Sequence, residues 1–141
     1  MSAATTEIIT RAVIRDGDHV LVVRERGKRW AFLPGGHVEP GEPVEAALAR
    51  EITEELGAAA KIIGLVVVVE HVYIDDAEST HHEINLVFDV ALEGEPSSQE
   101  PHLEFDWLPA AQLSKADLRL SAMKEIIGTA PRSFWRSWSG S

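Results

Sequence analysis

Hydrophobic and polar residues alternate along the beginning of the chain as they do in half-buried β-strands. Ile8 to Arg15 follows this two-residue period, and Asp16-Gly17 after it is a hairpin turn signal. His19 to Arg24 has the pattern expected of the partner strand. The sequence therefore predicts that the chain opens with a β-hairpin.

A different rhythm follows between positions 43 and 57. Pro43 suits the first turn of a helix, where its missing N–H is not needed, and Gly57 suits the left-handed position that ends one. The residues between them include apolar side chains at three- and four-residue spacing, which is typical of a helix with one buried face. These residues are Val44, Ala47, Leu48, Ile52 and Leu56.

The remaining sequence predicts more strands than helices. Ala59 to Val72 is expected to form a long, largely buried strand, separated from the next one by a polar loop at Asp75 to Thr80. The other expected elements are strands at Glu83 to Leu92 and Leu103 to Leu108, a turn-rich connection at Gly94 to Gln99, and a second helix at Ser121 to Ile127. This order predicts an α+β fold, a mixed β-sheet sandwiched between helices.

Length and composition limit the classes of function. A chain of 141 residues is expected to form one domain, residues 1–141, with residues 1–6 and 131–141 as flexible or docking termini. It has no cysteine, which excludes disulfides and thiol chemistry, and its net charge of −10 argues against nucleic-acid binding by phosphate neutralisation.

The N-terminal sequence and the lengths of the apolar runs argue against export and against a membrane anchor. Met1 to Glu7 lacks the basic and apolar regions of a signal peptide. The longest apolar run, Ile62 to Val69, is too short to cross a bilayer. We therefore expect a cytoplasmic protein that binds neither membranes nor nucleic acid.

Three acidic residues of the expected helix give the first indication of chemistry. Glu51, Glu54 and Glu55 are spaced i, i+3 and i+4, which places all three on one helix face. Adjacent carboxylates repel one another, so the arrangement is favourable when a cation lies among them, and hard divalent cations such as Mg²⁺ prefer carboxylate oxygens. By charge alone, a solvated acidic face is the commoner explanation.

The residues around these acids favour the cation site. Residues 36–58 read GHVEPGEPVEAALAREITEELGA. This segment resembles the Nudix box, G-x5-E-x7-R-E-U-x-E-E-x-G-U, in which U is an aliphatic residue. Ala58 is smaller than the aliphatic residue usual at the last position, a difference that affects packing. The matching residues are Gly36, Glu42, Arg50, Glu51, Ile52, Glu54, Glu55 and Gly57.

The resemblance implies a hydrolase that cleaves the diphosphate linkage of a nucleoside diphosphate derivative with a metal-activated water. Glu54 and Glu55 would then be metal ligands, and Glu51 a ligand or the base that activates the water. The carbonyl of Gly35 is a further candidate ligand, because a glycine pair allows close approach of the backbone to an ion. Mg²⁺ is the expected cofactor, with Mn²⁺ as a substitute.

Other residues of the box are expected to be structural. Arg50 and Glu42 would pair and hold the loop–helix–loop together, and Arg50 is also a candidate for orienting Glu54. Gly36 and Gly57 would open and close the segment.

The resemblance also implies one more acid from outside the box, in the loop before the last strand. Glu100 and Glu104 are the candidates. We favour Glu100 as the catalytic metal ligand, because Ser98 to Pro101 is loop-like, whereas Glu104 falls inside a strand pattern. For each of them the alternative is a solvated surface acid.

Substrate contacts are harder to assign from sequence. Arg24 and Arg26 belong to the basic cluster before the glycine pair and are candidates for holding substrate phosphates. Tyr73 is a candidate for lining a base pocket. For the rest of the basic cluster, solvated surface charge is an equal alternative.

The Nudix resemblance leaves the substrate and the assembly open. A nucleoside triphosphate pyrophosphohydrolase of the MutT kind, a nucleotide-sugar hydrolase or a broad-specificity enzyme fits, and a non-catalytic nucleotide sensor or partner-binding module is the alternative. The aromatic tail at Phe134, Trp135 and Trp138 is expected to cover an apolar groove or to pack on a second subunit of a homodimer.

Overall fold

The described part of the chain is rich in β-strands and carries one α-helix. The computed structural model describes residues 5–116, 118–119 and 135–139. The elements in chain order are β1 (Thr6–Asp16), β2 (His19–Glu25), β3 (Gly35–His37), α1 (Val44–Leu56), β4 (Ala59–Ile74), β5 (Thr80–Glu93), β6 (Leu103–Pro109), a 3₁₀ helix (Ala110–Lys115) and β7 (Trp135–Ser139).

The strands form a mixed sheet organised around β1. The order across the sheet is β6-β2-β1-β5-β4-β7, and β3 pairs with β1 outside this path. Strands β1 and β5 run parallel, as do β4 and β7, whereas the other pairs are antiparallel. The edge of β1 that faces away from β5 pairs with two strands, with β3 along its first half and with β2 at its end. The predicted α+β fold with a mixed sheet is confirmed.

Apolar side chains fill both faces of the central strands. In β1, Val13 belongs to one core cluster, whereas Ala12 and Ile14 belong to the other. The second cluster is covered by the apolar stripe of α1, where Leu48 and Ile52 are completely buried. Because burial alternates with a two-residue period, the strand buries one set of side chains under α1 and the other on the opposite face.

Both ends of α1 agree with the sequence signals. Pro43 is the residue before the first helical position, and Gly57 ends the helix with φ 64° and an N–H bond to the carbonyl of Thr53. The β5–β6 loop covers this end. The Ser97 amide donates to the backbone carbonyl of Leu56 at 2.8 Å, and the Gln99 amide donates to the backbone carbonyl of Glu55 at 3.3 Å. The loop that precedes Glu100 is therefore fastened to the acidic helix.

Two features of the sheet differ from the sequence prediction. Strand β3 is not expected, because three residues around a glycine pair read as a turn, and its register is set by pairing with β1. The prediction that β4 is largely buried is wrong for its first half, where bulges shift the register and Ile63 is 66 % exposed.

The end of the chain is described only in part. The expected helix at Ser121 to Ile127 and the aromatic residue Phe134 lie outside the described residues. The backbone of β7 pairs in parallel with β4 of the same chain, in the register Val68 to Trp135. In the described segments, no helix has the length and apolar character needed to cross a membrane.

A pair of isoleucine substitutions tests where the core lies. Ile52→Ala removes a side chain with 0 % exposure from beneath α1 and is expected to lower the free energy of unfolding by about 2–5 kcal/mol. Ile63→Ala, at 66 % exposure, is expected to cost less than about 1 kcal/mol. Urea denaturation of both variants measures the difference, and equal losses would contradict this placement of the core.

Candidate functional site

The acidic face of α1 meets the glycine turn, the Gly35–Gly36 pair at the start of β3. Glu55 is buried, the side chain of Glu51 is 17 % exposed, and that of Glu54 is 49 % exposed. The three acids thus form a gradient from the interior to the solvent along one helix face. This gradient leaves room for a ligand at Glu54 and a dry environment at Glu55.

The glycine pair is required by close contacts. A Cβ at Gly36 would lie 2.5 Å from the carboxyl carbon of Glu51, and a Cβ at Gly35 would clash with the carbonyl of Thr10. Gly35 also has φ 146°, a backbone conformation that other residues rarely adopt. The Gly35 amide donates to Oε2 of Glu55 at 3.2 Å. The turn therefore seats two of the helix carboxylates directly against the backbone.

Arg50 is surrounded by oxygen acceptors. It donates from Nε and Nη2 to the two carboxylate oxygens of Glu42 at 2.9 and 3.0 Å, and from Nη2 to the carbonyl of His37 at 3.2 Å. Its Nη1 donates to Glu51 at 3.0 Å and lies 3.4 Å from Glu54. The hydrogen bond from Arg50 lowers the pKa of Glu42, and the bond to Glu42 raises the pKa of Arg50. One guanidinium thus ties the loop to two acids of the helix.

The inner acids resist ionisation in the absence of a cation. Burial raises the pKa of Glu55 to about 8, and the charges of Glu51 and Glu100 add to the effect against the Gly35 amide and a nearby arginine. Burial also raises the pKa of Glu51, assisted by the charges of Glu54 and Glu100 and opposed by Arg50. A cation placed among these carboxylates would stabilise their charged forms.

Of the two outer acids, Glu100 is the one whose charge acts on the cluster. It raises the pKa of both Glu51 and Glu55, and its carboxylate lies 3.3 Å from Nε2 of His102. Glu104 extends from β6, where its carboxylate lies 3.5 Å from Nη1 of Arg26. These charge effects are consistent with Glu100 as the outer acid, and the choice of Glu100 over Glu104 stays a prediction.

The donor set fits a hard divalent cation. Glu51, Glu54, Glu55 and Glu100 provide carboxylate oxygens, and a cation would stabilise the ionised form of Glu55, whose pKa is raised to about 8. Within residues 5–116, 118–119 and 135–139, no three acidic, cysteine or imidazole side chains lie close enough together to hold a metal ion as they stand. Arg50 already bonds Glu51 and the more exposed Glu54, so a metal would share these carboxylates with the guanidinium.

The two basic candidates lie on β2 and just after it, beside acids of β6. Arg24 forms an ion pair with Asp106 at 2.6 Å. Arg26 donates from Nε to the carbonyl of Pro101 at 3.0 Å, in the loop that carries Glu100. Both guanidinium groups are therefore already engaged, and a substrate phosphate would compete with these partners.

Tyr73 lies in a stack of rings. The centroid of its ring is 4.6 Å from that of His71 and 4.7 Å from that of His81, with interplanar angles of 25° and 7°. Its hydroxyl donates to Glu83 at 3.2 Å, and burial together with the Glu83 charge raises its pKa to about 12. Because two imidazole rings stack on Tyr73, less of its ring is available to a substrate base.

Sequence patterns give no sign of the role of one further residue, Arg11. Its guanidinium lies within the sheet, where it donates to the side chain of Asn85 and the carbonyl of Leu33. An arginine among apolar residues is visible in the sequence, but the two-residue period of β1 does not show whether its side chain faces solvent or a partner within the protein.

Comparisons with known proteins agree with this geometry. A family model described as the NUDIX domain matches residues 6–127. A protein named nucleoside triphosphatase NudI from Escherichia fergusonii is 35 % identical over 134 residues, covering 84 % of this chain and 92 % of that protein. The protein of the same name from Escherichia coli O9:H4 is 30 % identical over 131 residues, with the same coverage of 84 % and 92 %.

Solved structures with the same fold include two described as MutT proteins. A MutT NUDIX hydrolase from Burkholderia pseudomallei has a TM-score of 0.74 at 29 % identity, covering 89 % of this chain and 99 % of that one. A mutator MutT protein from Bacillus halodurans has a TM-score of 0.80 at 23 % identity, covering 94 % and 89 %. The second likeness shows the fold alone.

The buried carboxyl of Glu55 predicts a pH-dependent stability in the absence of metal. Between 4.5, the ordinary value, and its raised pKa of about 8, the unfolded carboxyl is ionised while the folded one keeps its proton. The contribution of Glu55 to the free energy of unfolding is therefore fully present below pH 4.5 and is lost as the pH rises through about 8. The melting temperature in EDTA is expected to fall over this range, and added Mg²⁺ to restore it.

Substitutions at two acids of α1 check the origin of this slope. Glu55→Gln is neutral at every pH and is expected to flatten the profile, whereas Glu54→Gln, at an exposed position of the same helix, is expected to keep it. Differential scanning fluorimetry across the pH range provides the measurement. Equal slopes in the wild type and in Glu55→Gln would show that another group is responsible.

Proposed function

The chain belongs to the Nudix family of hydrolases, and we propose that it cleaves the diphosphate linkage of a nucleoside triphosphate in a reaction that requires Mg²⁺. Proteins of this family generally use divalent metal ions. The relatives at 30–35 % identity named nucleoside triphosphatase support the substrate class. The observation that carries the proposal is that Glu51 and Glu55 lie against the Gly35–Gly36 turn, with Glu54 on the same helix face and the charge of Glu100 acting on both.

The proposed metal ligands are the oxygens around this turn. Glu54, Glu55, Glu100 and the carbonyl of Gly35 would hold the ion. A bound divalent ion supplies neutralisation of phosphate charge and lowers the pKa of the attacking water. The chain contributes the fixed positions of these oxygens and the dry surroundings of Glu55.

Glu51 is proposed as the residue that accepts the proton of the water. Burial raises its pKa, which brings a carboxylate closer to the value at which it accepts a proton efficiently near neutral pH. Its carboxylate is oriented by Nη1 of Arg50 at 3.0 Å and packs on Gly36. Glu51 is also positioned to serve as a further metal ligand.

Arg50 and Glu42 are proposed to hold the segment in shape without touching the substrate. Their two parallel hydrogen bonds fix the loop before α1, and the same guanidinium orients Glu51 and Glu54. Gly36 and Gly57 are proposed to be structural, because a Cβ at either position would clash with Glu51 or Gln99 respectively.

Other parts of the proposal come from the sequence. Arg24 and Arg26 would bind substrate phosphates on releasing their acidic partners, and the edge of Tyr73 would contact the nucleoside. A homodimer and a cytoplasmic location stay predictions. Assays with nucleoside triphosphates, nucleotide sugars and dinucleotides, with Mg²⁺ or Mn²⁺ and identified products, test the substrate class. Nucleotide binding without turnover would favour the sensor alternative.

The first prediction for activity concerns the acids of α1. Glu54→Gln and Glu55→Gln each remove one charge from the proposed metal site while keeping the side-chain shape, so kcat is expected to fall by about 100-fold or more. Glu45→Gln, an exposed acid in the first turn of the same helix, is the matched control and is expected to keep full activity. Full turnover in EDTA would contradict the metal requirement.

The second prediction separates the outer acids. Glu100→Gln is expected to lower kcat with little change in melting temperature, because its charge acts on Glu51 and Glu55. Glu104→Gln is expected to have a smaller effect on kcat, because its partner is Arg26. Steady-state kinetics at saturating Mg²⁺ provide the ranking, and the reverse order would place the reacting acid on β6.

A further inference from the structure

Arg11 is a charged residue inside the central strand of the sheet. Its side chain is partly buried, and the side chains of its neighbours Thr10 and Ala12, on the opposite face of β1, are completely buried. Burial lowers the pKa of its guanidinium, opposed by the charges of Glu83 and Glu55. Keeping an ion in such a place is costly unless it is hydrogen-bonded and paired, so its partners indicate what it does.

The partners of Arg11 lie on two sides of the strand. Its Nε donates to Oδ1 of Asn85 at 3.1 Å, and Nη1 donates to the carbonyl of Leu33 at 3.0 Å. Leu33 lies two residues before Gly35, whose amide donates to Glu55 at 3.2 Å. The guanidinium therefore holds one end of a short segment whose other end holds a carboxylate of the proposed metal site.

The backbone of β1 supports the same segment. The Ala12 amide donates to the carbonyl of Pro34 at 2.9 Å, and Arg11 and Gly35 are Cα partners in the pairing of β1 with β3. A Cβ at Gly35 would lie 2.8 Å from the Cα of Arg11. The turn therefore has little room to shift while these contacts persist.

We propose that Arg11 is a positioning residue, whose guanidinium holds the Leu33–Gly35 segment on β1 so that the Gly35 amide keeps Glu55 in place. The catalytic consequence rests on the proposed function, since it requires Glu55 to serve in metal-dependent hydrolysis. The positioning itself concerns a hydrogen bond of the protein alone. It is therefore measurable without metal or substrate.

The electrostatic arrangement agrees with this role. Burial lowers the pKa of Arg11, and the charges of Glu83, Glu55 and Glu51 oppose this effect. The Arg11 charge counteracts the effect of burial on the pKa of Glu55. Charge alone, however, does not require the two hydrogen bonds that the planar guanidinium makes, so the charge and the geometry are separable by substitution.

Arg15 provides a matched control on the same strand. It lies four residues after Arg11, faces the same side of β1, and donates to Asp89 of β5 at 2.6 Å, as Arg11 donates to Asn85 of β5. Both arginines thus link β1 to β5, Arg11 through a neutral amide and Arg15 through a carboxylate. Arg11 also donates to the carbonyl of Leu33, in the segment before Gly35.

Hydrogen exchange of the Gly35 amide, followed by NMR on the metal-free protein, tests the positioning. Arg11→Met is expected to speed exchange by about tenfold or more, and Arg15→Met to change it less than about threefold. Glu55→Leu removes the acceptor and gives the exchange rate of the unbonded amide. Equal exchange in Arg11→Met and Arg15→Met overturns the proposal.

Arg11→Lys separates charge from geometry and serves if Arg11→Met does not fold. Lysine keeps the charge, but its single ammonium lacks the planar fork that reaches Leu33 and Asn85 together. Faster exchange in Arg11→Lys than in the wild type supports positioning by the fork. Exchange at the wild-type rate overturns it.

Kinetics test the catalytic consequence. At saturating Mg²⁺ and well below the melting temperature, Arg11→Met is expected to lower kcat by about 100-fold with little change in KM, whereas Arg15→Met leaves both near wild type. Equal kcat values in the two variants overturn the catalytic role. If the wild type hydrolyses no nucleotide with Mg²⁺ or Mn²⁺, the proposed function fails, and the exchange of Gly35 still decides the positioning.

Discussion

The hydrogen bond between the Gly35 amide and the Glu55 carboxyl group joins the sheet to the helix that carries the proposed metal ligands. The sheet side of this contact is fixed because Gly35 lies against the backbone of Thr10 and Arg11. The helix side is fixed because Ile52 and Leu56 hold α1 on the core. The site therefore depends on two independently packed elements that meet at one glycine. Any larger residue there would separate them.

Charge balance at the site depends on a small number of cations. Burial and mutual repulsion oppose ionisation of Glu51 and Glu55, whereas Arg50 and Arg11 counteract these effects from opposite sides. Arg50 acts on the solvent side, where it shares Glu51 and Glu54, and Arg11 acts from within the sheet. The two arginines thus reduce the energetic cost of the acidic cluster without balancing all of its negative charge. This is the condition in which an added divalent ion interacts most strongly.

Periodicity and end signals were sufficient to predict much of this fold. The stripe from Val44 to Leu56 and the stop at Gly57 located α1, and alternation located β1 and β2. Local patterns could not predict β3, because its pairing with β1 is a tertiary contact between short segments. Nor could they predict which half of β4 is covered, since burial there depends on the neighbouring elements.

The acids of the candidate site could be proposed from the sequence because the motif fixes their spacing. Glu51, Glu54 and Glu55 belong to this pattern, whereas the choice of Glu100 over Glu104 rests on its loop setting and stays a prediction. Arg11 belongs to no spacing rule, because its partners Leu33 and Asn85 are far from it in the chain. The covered ring of Tyr73 was equally hidden, since its neighbours His71 and His81 lie on two different strands.

The parallel pairing of β1 with β5 has a consequence for how the chain folds. Its register joins Thr6 to His82 and Ile14 to Val90, so the two strands meet only after a long intervening segment has been brought together. Such non-local pairing requires loop closure, which costs entropy before any contact forms to offset it, and is characteristic of slow folding. During synthesis, β1 and β2 are complete early, but the edge of β1 that pairs with β5 stays unpaired until residues near position 90 have been added. Until then that edge is open to pairing with other chains, so this stage of synthesis is the one most exposed to aggregation.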